Sequence, residues 1–138
     1  MDIGLDVHGC IDKYPELFAK LSKEWAKNGH RIHIITGNPW ANVKDEVDGY
    51  GITYHEHYSI VDFNKEAETP MWDNDPRSKG WWMKEKDWLR SKGDYCFYSR
   101  VLLHFDDSIE YKEYFPKNCR FVHMTEDFVD NWAQWLDV

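Results

Sequence analysis

The chain has 138 residues and a formal net charge of −8, with 30% charged and 17% aromatic residues. This length fits one domain with a single sizeable core. The acidic balance disfavours general nucleic-acid binding, because phosphate contacts need clustered lysine and arginine, but it suits a cation or a phosphate that is bound with one.

Strand and helix patterns alternate along the chain. Short apolar runs indicate strands, and apolar residues at helical spacing after Pro15 indicate a first helix that Asn28 and Gly29 end. Residues 69–79 combine prolines with acids and are predicted to form a functional loop. We predict strands over residues 1–7, 31–35, 52–57, 101–105 and 120–123, and helices over 15–27, 41–48, 80–92 and from 125 onward, with a brief helix after 59.

This alternation predicts an α/β fold, with about five mainly parallel strands and helices on both faces of the sheet. Ligands of such sheets bind beyond the carboxyl ends of the strands. Three predicted strands end at polar residues: the first at Asp6, the second at Thr36 and the fourth at Asp106 and Asp107. We therefore expect a functional site where these strand ends meet.

The remaining sequence features exclude several classes of protein. The first ten residues lack the basic and apolar regions of a secretory signal, and no stretch approaches the roughly 20 apolar residues of a membrane span. Cys10, Cys96 and Cys119 are an odd number without the spacing of metal ligands. We expect reduced thiols in a cytoplasmic protein that does not associate with membranes.

Four segments resemble, in order, the motifs of the haloacid dehalogenase (HAD) superfamily of phosphatases. LDVHGCID around Asp6 is similar to the first motif, IITGN at Thr36 to the second, and HFDDS at Asp106 to the fourth. The third motif is a lysine on the helix before the last of these strands. Lys84 is the candidate, with Lys79 as the alternative. The resemblance implies a three-layer Rossmann-like HAD fold.

The resemblance implies an Mg²⁺-dependent phosphomonoester hydrolase. Asp6 would be the nucleophile that forms an aspartyl phosphate, as carboxylates can. Mg²⁺, which prefers oxygen ligands, would be held by Asp6, by the backbone carbonyl of His8 and by the two acids of the fourth motif, Asp106 and Asp107. The cation would also shield the phosphate from the attacking carboxylate.

The phosphate itself would be bound by the second and third motifs. By the resemblance, Thr36 and the backbone amides of Gly37 and Asn38 contact phosphate oxygens. Lys84 would hold Asp6 and the phosphate together as a point charge.

His8 departs from the family pattern, which has an aspartate as general acid and base at this position. An imidazole has a suitable pKa, about 6.5, to protonate a leaving oxygen and then activate water. A neighbouring Mg²⁺ disfavours its protonated form. Two interpretations therefore stay open: an active enzyme in which His8 is the acid and base, and a catalytically weakened module that binds phosphate and metal.

The resemblance also implies a single HAD-like domain over residues 1–138 with no separate cap domain. Only residues 10–14 separate the first motif from the first helix, and the third βα unit takes up most of the interval between Thr36 and Lys84. An open site suits a small phosphorylated substrate such as a nucleotide, or a bulky one that covers the site itself.

Aromatic residues near the predicted loops either stack on a nucleobase or close the top of the sheet. Residues around Lys84 are also similar to the phosphatase domain of polynucleotide kinase-phosphatases, in an irregular loop followed by Met83-Lys84-Glu85. A polynucleotide end is thus an alternative substrate, although the acidic charge argues against it. The tryptophans near these loops are Trp40, Trp72, Trp81 and Trp82.

Overall fold

A computed structural model describes residues 1–72 and 82–138 of the chain. The strands are β1 (Asp2–Leu5), β2 (Arg31–Thr36), β3 (Glu56–Ser59), β4 (Met71–Trp72), β5 (Trp82–Met83), β6 (Val101–Asp106) and β7 (Arg120–His123). The main sheet has five strands in the order β3-β2-β1-β6-β7, and every neighbouring pair is parallel. A separate pair of short strands, β4 and β5, is antiparallel.

Helices connect the parallel strands, as the sequence pattern predicts. The helices are α1 (Pro15–Lys27), α2 (Trp40–Gly49), α3 (Ile60–Glu66), α4 (Glu85–Tyr98) and α5 (Glu126–Asp130), with 3₁₀ turns over Ile109–Tyr114 and Trp132–Trp135. Pro15 is the first residue of α1, where its fixed φ suits the first helical turn, and Gly29, with φ +86°, follows the end of that helix. Ser59 precedes α3, and its side chain accepts a hydrogen bond from the Asp62 amide, which caps the helix.

The sheet is covered on both faces, which gives two hydrophobic cores. One face packs against α1 and α5, and its core centres on Phe18, Trp25, Phe105 and Phe128. The other face packs against α3 and α4 through a smaller cluster that includes Tyr58. The α/β fold with a parallel sheet flanked by helices is therefore confirmed. Within the described part of the chain, no helix is both long and apolar enough to cross a membrane.

The order of the strands reverses at β1. The chain moves from β1 outward to β2 and β3, and then returns to β6 on the other side of β1. The carboxyl ends of β1 and β6 thus lie side by side at the point where α/β sheets usually bind ligands.

Several element boundaries differ from the predicted ones. β3 begins at Glu56 rather than at residue 52, because Ile52 packs into the core beside α1 and the Thr53 amide bonds to the Ser22 hydroxyl instead of to the sheet. β1 ends at Leu5, where the chain turns at Asp6. The helix predicted over 80–92 instead runs from Glu85 to Tyr98, after the short strand β5.

Candidate functional site

The ends of β1 and β6 bring three carboxylates together. Asp6 directly follows β1, and its amide donates to the Phe105 carbonyl of β6 at 3.0 Å. Asp106 is the last residue of β6, with Asp107 next. Carboxylate oxygens of Asp6, Asp106 and Asp107 all lie within 4.8 Å of one another. The structure therefore brings together the ends of two of the three strands in the prediction, β1 and β6.

A buried lysine lies between two of these carboxylates. Lys92 Nζ donates to Asp6 Oδ1 at 2.9 Å and to Asp106 Oδ2 at 2.7 Å, and only 2% of the lysine is exposed. Its ammonium group also lies 4.5 Å from the centre of the Tyr111 ring, a favourable cation–π contact. Trp88 Nε1 donates to the Tyr111 hydroxyl at 2.9 Å and so holds that ring in place.

This pairing separates the pKa values of the two aspartates. Burial raises the pKa of Asp6 to about 7, even though Lys92 opposes that shift. Burial also acts on Asp106, but Lys92 and His104 outweigh it and hold the pKa of Asp106 below its ordinary value. Despite its burial, Lys92 has a raised pKa because both carboxylates stabilise its charge. Asp106 and Lys92 are therefore ionised at neutral pH, and Asp6 is the carboxylate that accepts a proton.

Asp106 has more hydrogen-bond donors than Asp6, which explains why its charge is retained. Its Oδ2 atom is 2.9 Å from His104 Nε2 in addition to Lys92, and its Oδ1 atom accepts from the Ser108 amide at 3.0 Å. His104 and Asp106 are both completely buried. Hydrogen bonds to an ionised carboxylate favour the charged form.

The turn after β1 fits closely around the carboxylates. Gly9 has φ +86°, and a Cβ atom at this position would lie 2.0 Å from Asp107 Oδ2. The Gly9 amide donates to Asp12 Oδ1 at 2.7 Å, which fixes the turn from its other side. Only glycine allows both the positive φ and the close approach of Asp107.

The loop after β2 lies beside this turn. Thr36 is buried, and its Oγ1 atom accepts a hydrogen bond from the Asn38 amide at 3.2 Å. A Cβ atom on Gly37 would be 2.7 Å from the Trp88 ring, so the loop rests directly on α4. The amide of Asn38, one of the two predicted phosphate donors, thus already has an acceptor within its own loop.

His8 lies at the exposed mouth of the site. Its Nδ1 atom is 2.9 Å from Asn38 Nδ2, and its Nε2 atom is 3.4 Å from Glu46 Oε2. The side-chain nitrogen of Asn38 can only donate, so His8 Nδ1 is the acceptor in this contact and Nε2 faces Glu46. The side chain is 47% exposed, in contrast to the buried carboxylates behind it.

The predicted position of the motif lysine needs correction. Lys84 is exposed and immediately precedes α4, where its carbonyl accepts from the Trp88 amide. It lies about two helical turns before Lys92, at about 3.6 residues a turn, and Lys92 is the lysine that reaches the carboxylates. Lys79, the alternative, lies outside the described residues, as does Trp81.

Sequence signals for Lys92 were present. Lys92 lies on the same predicted helical face as Lys84 and Trp88, and small residues flank it at Ser91 and Gly93. Gly93 allows α4 to approach the neighbouring 3₁₀ turn, because a Cβ atom there would lie 2.2 Å from the Tyr114 carbonyl oxygen. A lysine between two small residues on a closely packed helix is a candidate for burial.

The donor set suits a hard divalent cation. The three converging side chains offer only carboxylate oxygens, the ligands that Mg²⁺ prefers, and Lys92 neutralises only part of their charge. A second group of possible ligand atoms, from His8, Asp12 and Glu46, also lies within 4.8 Å. Asp12 and His8 of this second group also hydrogen-bond to neighbouring groups.

Comparison of the chain with protein-family models gave no match, and comparison with curated proteins gave no significant one.

Proposed function

We propose that this protein is an Mg²⁺-dependent phosphomonoesterase with the HAD-type mechanism. The observation that carries the proposal is the placement of Lys92 between Asp6 and Asp106 at neighbouring strand ends, beside the hydroxyl-bearing loop at Thr36. Phosphoryl transfer depends on positioning and on charge neutralisation, and this arrangement supplies both. The order of the four sequence motifs supports the same class.

In the proposed reaction, a carboxylate oxygen of Asp6 attacks phosphorus and the ester oxygen leaves. Lys92 neutralises the charge that Asp6 and the phosphate bring together, and the Thr36 hydroxyl donates to a phosphate oxygen. Water then attacks the phosphorus of the aspartyl phosphate, which releases inorganic phosphate and restores Asp6.

His8 is the proposed acid and base. Its position at the mouth suits a group that gives a proton to the leaving oxygen and later takes one from the attacking water. For this role the imidazole must break its contact with either Asn38 or Glu46. The contact with Glu46, at 3.4 Å, is the longer of the two and is the one expected to break.

Asp6, Asp106 and Asp107, with the His8 carbonyl, are the groups proposed to hold Mg²⁺. Bound Mg²⁺ would offset the negative charge of the phosphate and of the carboxylates around it. The raised pKa of Asp6 agrees with this proposal, since an unassisted carboxylate there holds a proton that a nearby cation would displace.

We infer a small phosphorylated substrate, with nucleotides as the first class to test. Trp40 begins α2 directly after the Thr36 loop, and its ring stacks on His57 with centroids 4.2 Å apart. A nucleobase would therefore meet a ring pair that is already assembled rather than a single free tryptophan. The acidic charge makes a polynucleotide end the less favoured substrate.

One observation favours the second candidate function, a catalytically weakened module that binds phosphate and metal. Both ring nitrogens of His8 face a hydrogen-bonding partner, Asn38 on one side and Glu46 on the other. A ring held at both nitrogens has no free position for proton transfer. Such a protein would retain ligand binding without turnover.

A dye-release phosphatase assay with and without Mg²⁺ tests the proposal. We expect hydrolysis that depends on Mg²⁺ and that falls by about a thousandfold or more in Asp6→Asn, which removes the nucleophile. A screen of nucleotides and sugar phosphates then identifies the substrate class. Mg²⁺ binding without hydrolysis of any phosphomonoester would favour the binding module.

The His8→Asp variant distinguishes the two interpretations of His8. If His8 is the acid and base, aspartate should move the pH profile while activity stays measurable, because the two groups have different pKa values. A rise of orders of magnitude in the hydrolysis rate would instead mean that His8 disables the site, and the second candidate function would be correct.

A further inference from the structure

Asp106 is held asymmetrically. Two side-chain donors, Lys92 Nζ and His104 Nε2, converge on Oδ2, whereas Oδ1 receives only the Ser108 amide. A carboxylate oxygen has two lone pairs, so Oδ2 is fully used and Oδ1 keeps one lone pair for another partner. Because Lys92 and His104 occupy Oδ2, Oδ1 is the oxygen that remains available for a further partner.

Residues from several elements surround the His104 side chain. The residue pairs with Gly4 across the β1–β6 ladder, and a Cβ atom on Gly4 would lie 2.6 Å from His104 Nδ1. On its other side the imidazole stacks on Phe115, with ring centroids 5.0 Å apart, and it lies near Phe121. A glycine within a central strand marks such a close approach, and here it makes room for the ring.

His104 makes one side-chain hydrogen bond, and that bond is to Asp106. Its Nδ1 atom has no hydrogen-bond partner among the described residues. A buried ring nitrogen without a partner costs stability, so stability alone does not explain this histidine. His104 lies directly behind a proposed metal ligand, and hydrogen bonds from outer residues to a ligating carboxylate hold such ligands in position.

We propose that His104 is a positioning residue that fixes Asp106 for binding a divalent cation. By donating to Oδ2 together with Lys92, it prevents the carboxylate from rotating and leaves Oδ1 as the metal ligand. The proposal rests on the metal-binding part of the proposed function. It does not depend on hydrolysis, so metal binding alone can test it.

The test compares two amides at position 104. Glutamine carries its amide nitrogen about as far from the backbone as His Nε2 does, whereas asparagine is one methylene shorter and cannot reach Asp106. The affinity for Mn²⁺ alone, measured by electron paramagnetic resonance, reports on the oxygen-ligand site without any substrate. We expect His104→Gln to stay within about threefold of the wild type and His104→Asn to bind about ten- to a hundredfold more weakly.

A second buried histidine provides the matched control. His33 on β2 also pairs with an aspartate, with Nε2 2.7 Å from Asp2 Oδ2, but Asp2 is the first residue of β1, at the end of that strand away from Asp6. His33→Asn should lower the free energy of unfolding and leave Mn²⁺ affinity within about twofold. If a His104 variant is too unstable at 25 °C, the same comparison is made at 5 °C.

Three outcomes are distinguishable. Weakened binding in His104→Asn with recovery in His104→Gln supports the positioning role, whether or not the protein hydrolyses phosphate esters. Equal Mn²⁺ affinity in the wild type and both His104 variants overturns the role and leaves the metal site intact. No Mn²⁺ binding by the wild type overturns both the metal site of the proposed function and the inference drawn from it.

Discussion

Two groups of polar residues flank the turn after β1, and they are built in opposite ways. The buried centre consists of Asp6, Lys92, His104 and Asp106, and the rim consists of His8, Asp12, Asn38 and Glu46. In the buried centre each charged group has a partner, and the exposed fractions range from 0% for Asp106 to 6% for Asp6. In the rim the side chains are exposed or half-buried, and His8 Nε2 lies 3.4 Å from Glu46 Oε2.

The difference follows from the cost of desolvation. A buried charge without a partner is very unfavourable, so the buried centre has one geometry in which Lys92 satisfies both carboxylates. Rim groups keep water as an alternative partner, and each contact there contributes little. The buried centre is therefore suited to holding a fixed constellation, whereas the rim is suited to groups that must move or exchange protons.

The largest expected effect comes from removing the central cation. Lys92→Met keeps the length of the side chain but leaves the buried carboxylate of Asp106 without its main partner. At pH 8, where Asp6 is ionised, this variant leaves the Asp6 carboxylate without its partner as well. Breaking a buried pair in this way costs about 3–5 kcal/mol of unfolding free energy. Urea denaturation at pH 8 measures the loss.

Lys84→Met is the matched control for that variant. Lys84 is exposed, so the same substitution should change stability by no more than about 0.5 kcal/mol. If both variants lost the same small amount, the contrast between the buried centre and the surface would not hold. Hydrolysis, where the wild type shows it, should disappear only in the Lys92 variant.

The parts of the site that depend on strand ends could be predicted from the sequence. Asp6, Thr36 and Asp106 each follow an apolar run, and in a parallel sheet such positions converge because all strands point the same way. Local pattern and topology together were sufficient for these three residues. The same reasoning predicted the parallel sheet and α1.

Lys92 could not be placed in the same way, because its environment is created by distant residues. Lysine is among the residues least often buried, and nothing local indicates that Asp6, far away in the chain, will be its partner. The end of α4 was missed for a related reason. Gly93 looks like a helix stop, yet it is an internal helical residue that allows close packing against Tyr114. His104 lies within the strand predicted over residues 101–105, where the apolar pattern indicates burial but no partner.

A second, smaller effect is the pH dependence of metal-free stability and of Mn²⁺ affinity, which both follow from the ionisation of Asp6. The pKa of Asp6 is raised from 3.8 to about 7, so protonated Asp6 stabilises the metal-free fold below pH 4 and this contribution is lost as the pH rises through about 7. Divalent cations need the ionised form. Mn²⁺ affinity should therefore weaken about tenfold, or about 1.4 kcal/mol, for each pH unit below 7 and level off above it.

Asp6→Asn gives the control for the pH effect, because asparagine imitates the protonated carboxyl group. Its metal-free stability should vary less with pH than that of the wild type between pH 5 and pH 8, and its remaining metal affinity should lose the steep dependence below pH 7. Titrations with Mn²⁺ at several pH values follow both proteins. A flat profile for the wild type would mean that Asp6 is ionised throughout and that the buried centre is less desolvated than its geometry indicates.

The smallest effect is expected at the rim. Glu46→Gln keeps the shape of the side chain and removes its charge beside His8, whose contact is long and partly exposed. Pairs of this kind contribute less than about 1 kcal/mol and are screened by salt, so we expect a stability change of at most about 0.5 kcal/mol, and smaller still at 1 M NaCl. Thermal unfolding at low and high salt measures the change. A loss of unfolding free energy as large as that of Lys92→Met would show that the charged groups of the rim, like those of the buried centre, have partners that water cannot replace.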